Sequence, residues 1–190
     1  MFTRWFAIAA LWSGLLATLS IYAADAVPTL AGASMLTPQN TKIQFICAHV
    51  GAKPEPRRGG FSKFSGQALL DGKSLKSVSF DIDTASLFTE FDKLTTHLKS
   101  PDFFEVRRFP TAKFESTKIE PGNGAAQIIG KLTLHGVTKE VSFPAKIEVS
   151  EAGLKVTSEF TINRLDYGIS YDPNKVENKV ALTVVIGEKS

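Results

Sequence analysis

The chain has 190 residues, with 22 Lys and Arg against 19 Asp and Glu, for a net charge of +3. That balance is ordinary for a solvated surface and gives no argument for a nucleic-acid partner. A single cysteine, Cys47, rules out a disulfide framework and reads as a small buried hydrophobe.

The N-terminus has the layout of an export signal. Arg4 supplies a short positive flank, Trp5 to Leu19 is an uncharged apolar run, and Ala24-Asp25-Ala26 is a small-residue cleavage site. This predicts a signal peptide over 1–26, a mature protein starting at Val27, and a periplasmic location. An uncleaved anchor is the competing reading, because Trp5 to Ala24 is nearly long enough to span a bilayer. Removing 1–26 takes away Arg4 and Asp25, so the net charge is unchanged. Residues 27–190 are the right size for one domain.

Val27 to Pro38 has no clear periodicity and reads as a loose lead-in. Ile43, Phe45, Cys47 and His49 then share one parity, as expected of a strand. Ala52 to Gly60, rich in Pro, Gly and charge, reads as an exposed loop between the first two strands. Val78, Phe80 and Ile82 alternate with Ser77, Ser79, Asp81 and Asp83. The pattern breaks once: Phe91, Leu94, Leu98 and Phe103-Phe104 have helical spacing, which predicts a short helix over about Glu90 to Lys99, with Pro101 starting a further turn. Such a helix would plug or cover one end of a barrel, or simply pack on the sheet.

Period-two alternation resumes and dominates the rest. Val141, Phe143, Ala145, Ile147 and Val149 oppose Glu140, Ser142, Lys146, Glu148 and Ser150. Leu154, Val156, Ser158, Phe160 and Ile162 oppose Lys155, Thr157, Glu159, Thr161 and Asn163. Val180, Leu182, Val184 and Ile186 make a last strand. Asp71-Gly72, Gly122-Asn123-Gly124 and Ala152-Gly153 supply reversals, and His135-Gly136 with Thr138-Lys139 marks another. The whole is a meander of about eight antiparallel strands, a barrel or a sandwich.

Catalytic chemistry is hard to find in this pattern. His49, His97 and His135 fit no ligand motif, which predicts no metal site. No GxSxG elbow is present. Asp81 and Asp83 share a strand face, but acid–base work would need a pocket beside them; a hydrated strand face is the simpler reading. Arg164 and Asp166, in Asn163 to Gly168, are placed to pair locally and shape a turn, with an alternative in which Arg164 holds a phosphate or a quinone oxygen. The strongest signal is phenylalanine: fourteen, against three tyrosines and two tryptophans. Phe45, Phe80, Phe114, Phe143 and Phe160 all have inward parity. An eight-stranded barrel is just wide enough to be filled by side chains or to hold one small ligand. Small residues at Gly130, Ala145 and Ser158 would leave space.

Five stretches together carry a family resemblance. They are Asn40 to Phe45; Phe61 to Gly66; the middle block from Ser86-Leu87-x-Thr89 through His97 to Phe104, Phe109-Pro110 and Phe114 to Thr117 up to Gly130 to Lys139; Phe160 to Ile169; and Val176 to Ile186, which matches the family's closing strand. In this order they resemble the YceI-like family over nearly all of the mature chain. The resemblance implies an all-β, eight-stranded antiparallel lipocalin-like barrel with a short capping helix. It also implies a periplasmic binding protein, not an enzyme, that carries or sequesters a long-chain isoprenoid, a quinone or polyprenyl lipid, in an apolar tunnel. Carried onto this sequence, the tunnel wall is Phe45, Phe80, Ile82, Phe114, Leu132, Leu134, Val141, Phe143, Phe160 and Ile162. No cofactor is expected beyond the lipid; transient membrane contact and a homodimer are compatible with the reading. The Ala52 to Gly60 stretch looks longer and more polar than the family's usual first turn. The competing functions are an enzyme acting on a lipid-like substrate in the barrel and a ligand-free structural or stress-related domain.

Overall fold

A computed structural model describes residues 32–51 and 54–187. The signal segment 1–26, both tryptophans, the start of the lead-in and part of the Ala52 to Gly60 stretch lie outside the described residues. Eleven strand segments form one antiparallel sheet: β1 (Gly32–Leu36), β2 (Thr41–Ala48), β3 (Pro56–Phe61), β4 (Phe64–Asp71), β5 (Ser74–Asp83), β6 (Leu87–Thr89), β7 (Thr111–Glu120), β8 (Ala126–Leu134), β9 (Val137–Ser150), β10 (Gly153–Asn163) and β11 (Lys179–Ile186). One helix, α1 (Asp92–Lys99), precedes β7.

The segments reduce to eight runs, because three pairs continue each other through corners. β1 leads into β2 beside β4 and β3, and the hairpin β4–β5 is extended by β3–β6. Hydroxyl and amide side chains carry the hydrogen bonding around these corners, where the regular ladder lapses. At Thr37–Asn40, the Asn40 Oδ1 accepts from the Thr37 N–H and Nδ2 donates to the Met35 carbonyl. At the second corner, Ser86 Oγ accepts from the Lys63 N–H at 3.0 Å and donates to the Asp83 carbonyl at 2.6 Å, while the Thr84 hydroxyl donates to the Phe109 carbonyl. This is why Ser86 sits at the head of the Ser-Leu-x-Thr stretch. β11 pairs with both β10 and β2, which brings the ladder back on itself as a barrel.

Among the described strands the ladder lapses beside Ser74–Val78 of β5, where the Val78 N–H donates to Ser116 Oγ, and at a seam between β9 and β10. β9 and β10 pair only from Lys146↔Thr157 to Ser150↔Gly153. Beyond this the strands part at Pro144, which has no N–H to offer the ladder. Ser158 Oγ donates to the Pro144 carbonyl at 2.7 Å, and the Phe143 and Phe160 rings stack across the gap at 4.1 Å and 8°.

Four sequence-based expectations need correction. The lead-in contains strand β1, held on β4. Pro56 to Gly60 is strand, not loop: proline is tolerated at a first strand position, and Gly59 and Gly60 sit where neighbouring side chains and backbone leave no room for a Cβ. The closing strand begins at Lys179, and Val176 contributes only an isolated bridge to His49. Thr138 and Lys139 lie in β9 and not in the turn, which is made by His135-Gly136 alone, both at positive φ. The predicted helix is present, two residues shorter at its start.

Candidate functional site: an apolar tunnel with a cationic mouth

The barrel axis is occupied by a cavity of about 290 Å³, near the lower end of the roughly 300–1,000 Å³ of ligand sites. All ten residues expected in a tunnel wall, Phe45, Phe80, Ile82, Phe114, Leu132, Leu134, Val141, Phe143, Phe160 and Ile162, line this one cavity. They come from β2, β5, β7, β8, β9 and β10, which is the consequence of period-two alternation on a curled sheet. Leu75, Val78, Ile128, Val156, Val184 and Ile186 extend the wall away from α1.

Large phenylalanines leave a lumen because several lie flat on glycine. A Cβ on Gly59 would stand 2.3 Å from the Phe45 ring, one on Gly66 2.7 Å from the Phe80 ring, and one on Gly130 2.7 Å from the Phe114 ring. Each ring therefore lies over the backbone of a neighbouring strand, where a side chain would have forced it toward the axis. The space at Gly130, expected to be part of the lumen, is taken by Phe114. Ala145 is fully buried but is not part of the cavity wall, whereas Ser158 is.

At one end the wall turns polar. Cys47, His49, Arg57, His97, Arg164, Tyr171 and Lys175 line it there, together with Leu94 and Leu98 of α1. No residue of α1 is fully buried; Leu94 and Leu98 close the cavity from above. Phe91, expected on that apolar face, instead precedes the helix, is exposed, and carries the Arg57 guanidinium 5.3 Å over its ring. His97 donates or accepts at 2.9 Å with Asp102 and meets the Phe103 and Tyr171 rings edge-on, each at 5.0 Å.

Arg164 is the best-held group of the mouth. Only 3% exposed, it donates through Nε to the Glu177 carbonyl, through Nη1 to Ile169, and through Nη2 to the Val176 carbonyl and Asn178 Oδ1, over 2.8 to 3.2 Å. The side chain thus pins the 169–178 segment beside the mouth. It does not pair with Asp166, whose nearest cation is Lys139. Burial lowers the Arg164 pKa, and Cys47 and Asp172 oppose that fall. Cys47 Sγ donates to the same Glu177 carbonyl at 3.4 Å, and burial raises its thiol pKa.

The remaining sequence candidates are structural. Asp81 pairs with Lys113 across strands at 2.8 Å, and Asp83 accepts from the Ala85 N–H. His135 packs against the Phe109 ring at 4.2 Å with the planes tilted by 54°, and its Nδ1 lies 3.1 Å from the Tyr167 carbonyl, at the β8–β9 turn. His49 and His97 both line the polar end of the cavity, and His135 lies apart from them.

A model of the YceI-like domain matches residues 35–187. The chain belongs to the YceI-like family. Relatives include a UPF0312 protein of Shewanella denitrificans, 33% identical over 93% of this chain and 93% of its own, and one of Pseudomonas aeruginosa, 33% identical over 78% and 81%. Among solved structures, Burkholderia cenocepacia BcnA superposes with a TM-score of 0.70 at 24% identity, covering 77% of this chain and 94% of that one. A polyisoprenoid binding domain from Saccharophagus degradans superposes with a TM-score of 0.61 at 15% identity, covering 82% and 97%. At these identities the structures establish the shared fold, a YceI-like all-β barrel with one helix.

Proposed function

We propose that this YceI-like protein binds a long-chain isoprenoid lipid, of quinone or polyprenyl type, in the barrel tunnel and carries or sequesters it in the periplasm. The observation that carries the reading is the cavity wall, apolar over most of its length with the charged groups gathered at one end. Each buried CH₂ contributes about 0.8 kcal/mol, so such a wall holds a long hydrocarbon without strong polar contacts. The likeness to a polyisoprenoid binding domain supports the isoprenoid class. The signal-like segment over 1–26 supports export, with residues 27–190 as the mature domain.

Exchange of so apolar a cargo requires the mouth to meet a membrane transiently. Exposed Phe88 and Phe91 lie near that end, on β6 and just before α1. Binding is favoured over catalysis because the hydroxyl and thiol in the wall are turned to backbone: Cys47 donates to the Glu177 carbonyl and Ser158 to the Pro144 carbonyl. The test is native mass spectrometry of protein purified from its own periplasm, then uptake of long-chain quinone and polyprenol by the delipidated protein. One lipid per chain, saturable, is expected. An empty protein that refuses both, or uptake that never saturates, overturns the reading.

A further inference from the structure

We propose that the mouth of the tunnel is a head-group subsite for an acidic amphiphile of the phosphate class, organised by Arg164. The inference rests on the lipid-tunnel reading above and narrows it. Its first support is the sign of the wall. The charged side chains lining the cavity are Arg57, Arg164 and Lys175, with His49 and His97 beside them, and no aspartate or glutamate lines it. The carboxylates nearby are already engaged: Glu55 with Arg57, Asp102 with His97 and Asp172 with Lys175.

Arg164 differs from the other cations. It is 3% exposed, and its described hydrogen bonds go to three carbonyls and one amide oxygen, none to a carboxylate. A guanidinium has five N–H donors; these four bonds leave one Nη1 proton over. The result is a positive charge in a water-poor wall, locked in orientation by backbone and with a donor to spare; Asp172, the carboxylate that acts on it through space, is itself held by Lys175. Taking a charge out of water is costly unless an opposite charge meets it, and an anionic oxygen arriving at the cavity mouth supplies that partner. A neutral head offers only a weaker bond, because a hydrogen bond between ionised groups is about twice as strong as a neutral one.

Position adds a second argument. Arg164 Nε and Cys47 Sγ share the Glu177 carbonyl, so Cys47 stands beside the guanidinium on the cavity wall. A head group seated on Arg164 would cover the thiol.

The experiment compares, on delipidated wild-type protein, undecaprenyl phosphate with undecaprenol, and palmitate with hexadecanol, by native mass spectrometry and by protection of Cys47 from a small maleimide. The phosphate is expected to bind about tenfold or more tighter than the alcohol and to protect Cys47 at lower concentration, with a quinone behaving like the alcohol. Equal affinities for phosphate and alcohol overturn the head-group assignment and leave the tunnel reading standing. Refusal of all four amphiphiles overturns the tunnel reading itself. Palmitate bound in preference to hexadecanol while polyprenyl lipids are refused supports the acidic subsite and overturns the isoprenoid class. Arg164→Gln should erase the preference and Arg57→Gln should leave most of it; a folded Arg164→Gln protein that keeps the full ratio overturns Arg164 as its source. If Arg164→Gln does not fold, the wild-type ratio still decides.

Discussion

The depth of the tunnel and its mouth solve different problems with different parts. In the depth, strands supply an apolar residue at every second position, and rings such as Phe114 lie on glycine backbone, so specificity there is a matter of bore and length. At the mouth, side chains from β2, β3, α1 and the turns after β10 converge; Arg164 and Cys47 are fixed by hydrogen bonds to carbonyls, and Arg57, His97 and Lys175 by carboxylates. The depth tolerates exchange of one hydrocarbon for another of similar volume. The mouth does not tolerate loss of a donor, because each carbonyl it serves is left without its partner in a poorly hydrated place.

The largest effect that sharpens this contrast is at Arg164. Arg164→Met removes four hydrogen bonds at once and should cost about 3 kcal/mol or more, read as a shift of the urea midpoint. Loss of order should concentrate in residues 169–178, read by amide hydrogen exchange. A variant as stable as wild type would mean that the 169–178 segment holds itself.

Next comes the depth. A Cβ on Gly130 would meet the Glu115 carbonyl at 2.5 Å as well as the Phe114 ring at 2.7 Å. Backbone cannot yield as a side-chain tip can, so Gly130→Ala should cost about 1–3 kcal/mol and push Phe114 toward the axis. Lipid stoichiometry measured by native mass spectrometry should fall, and the double variant Gly130→Ala with Phe114→Leu should recover part of it. If capacity is unchanged in the single variant, the rings do not set the bore.

These two regions were unequally legible in the sequence. Period-two alternation placed Phe45, Phe80, Phe143 and the rest of the wall on one face, and a curled sheet turns one face into one cavity. The helix was legible from Leu94 and Leu98. The glycines were misread, since Gly130 looked like spare lumen and Gly59 and Gly60 like loop; their meaning depends on which ring lies across from them, and register is not written in spacing. Arg164 was visible as a turn residue, but its partners at 169–178 are backbone carbonyls, which every sequence possesses and none advertises. The corner roles of Ser86 and Asn40 were hidden for the same reason.

A smaller effect is expected at the seam between these regions. Ser158→Ala removes the single hydrogen bond to the Pro144 carbonyl, where β9 and β10 have parted. The cost should be about 1 kcal/mol, with the Phe143–Phe160 stack keeping the strands together. Faster amide exchange confined to β9 and β10 would locate the change; protection lost throughout the barrel would mean that the seam is part of the global core.

The mildest probe perturbs nothing until it reacts. Burial raises the Cys47 thiol pKa more than its Ala48 contact and the Arg164 charge lower it, and the thiolate is the reactive form. The folded protein should therefore react with a maleimide more slowly than a free cysteine at mildly alkaline pH, with the rate rising at a higher pH than the free thiol's. Filling the tunnel should slow it further, by several-fold if the lipid reaches the mouth. Lipid that leaves the rate untouched would sit wholly in the depth, and the two regions would then work independently.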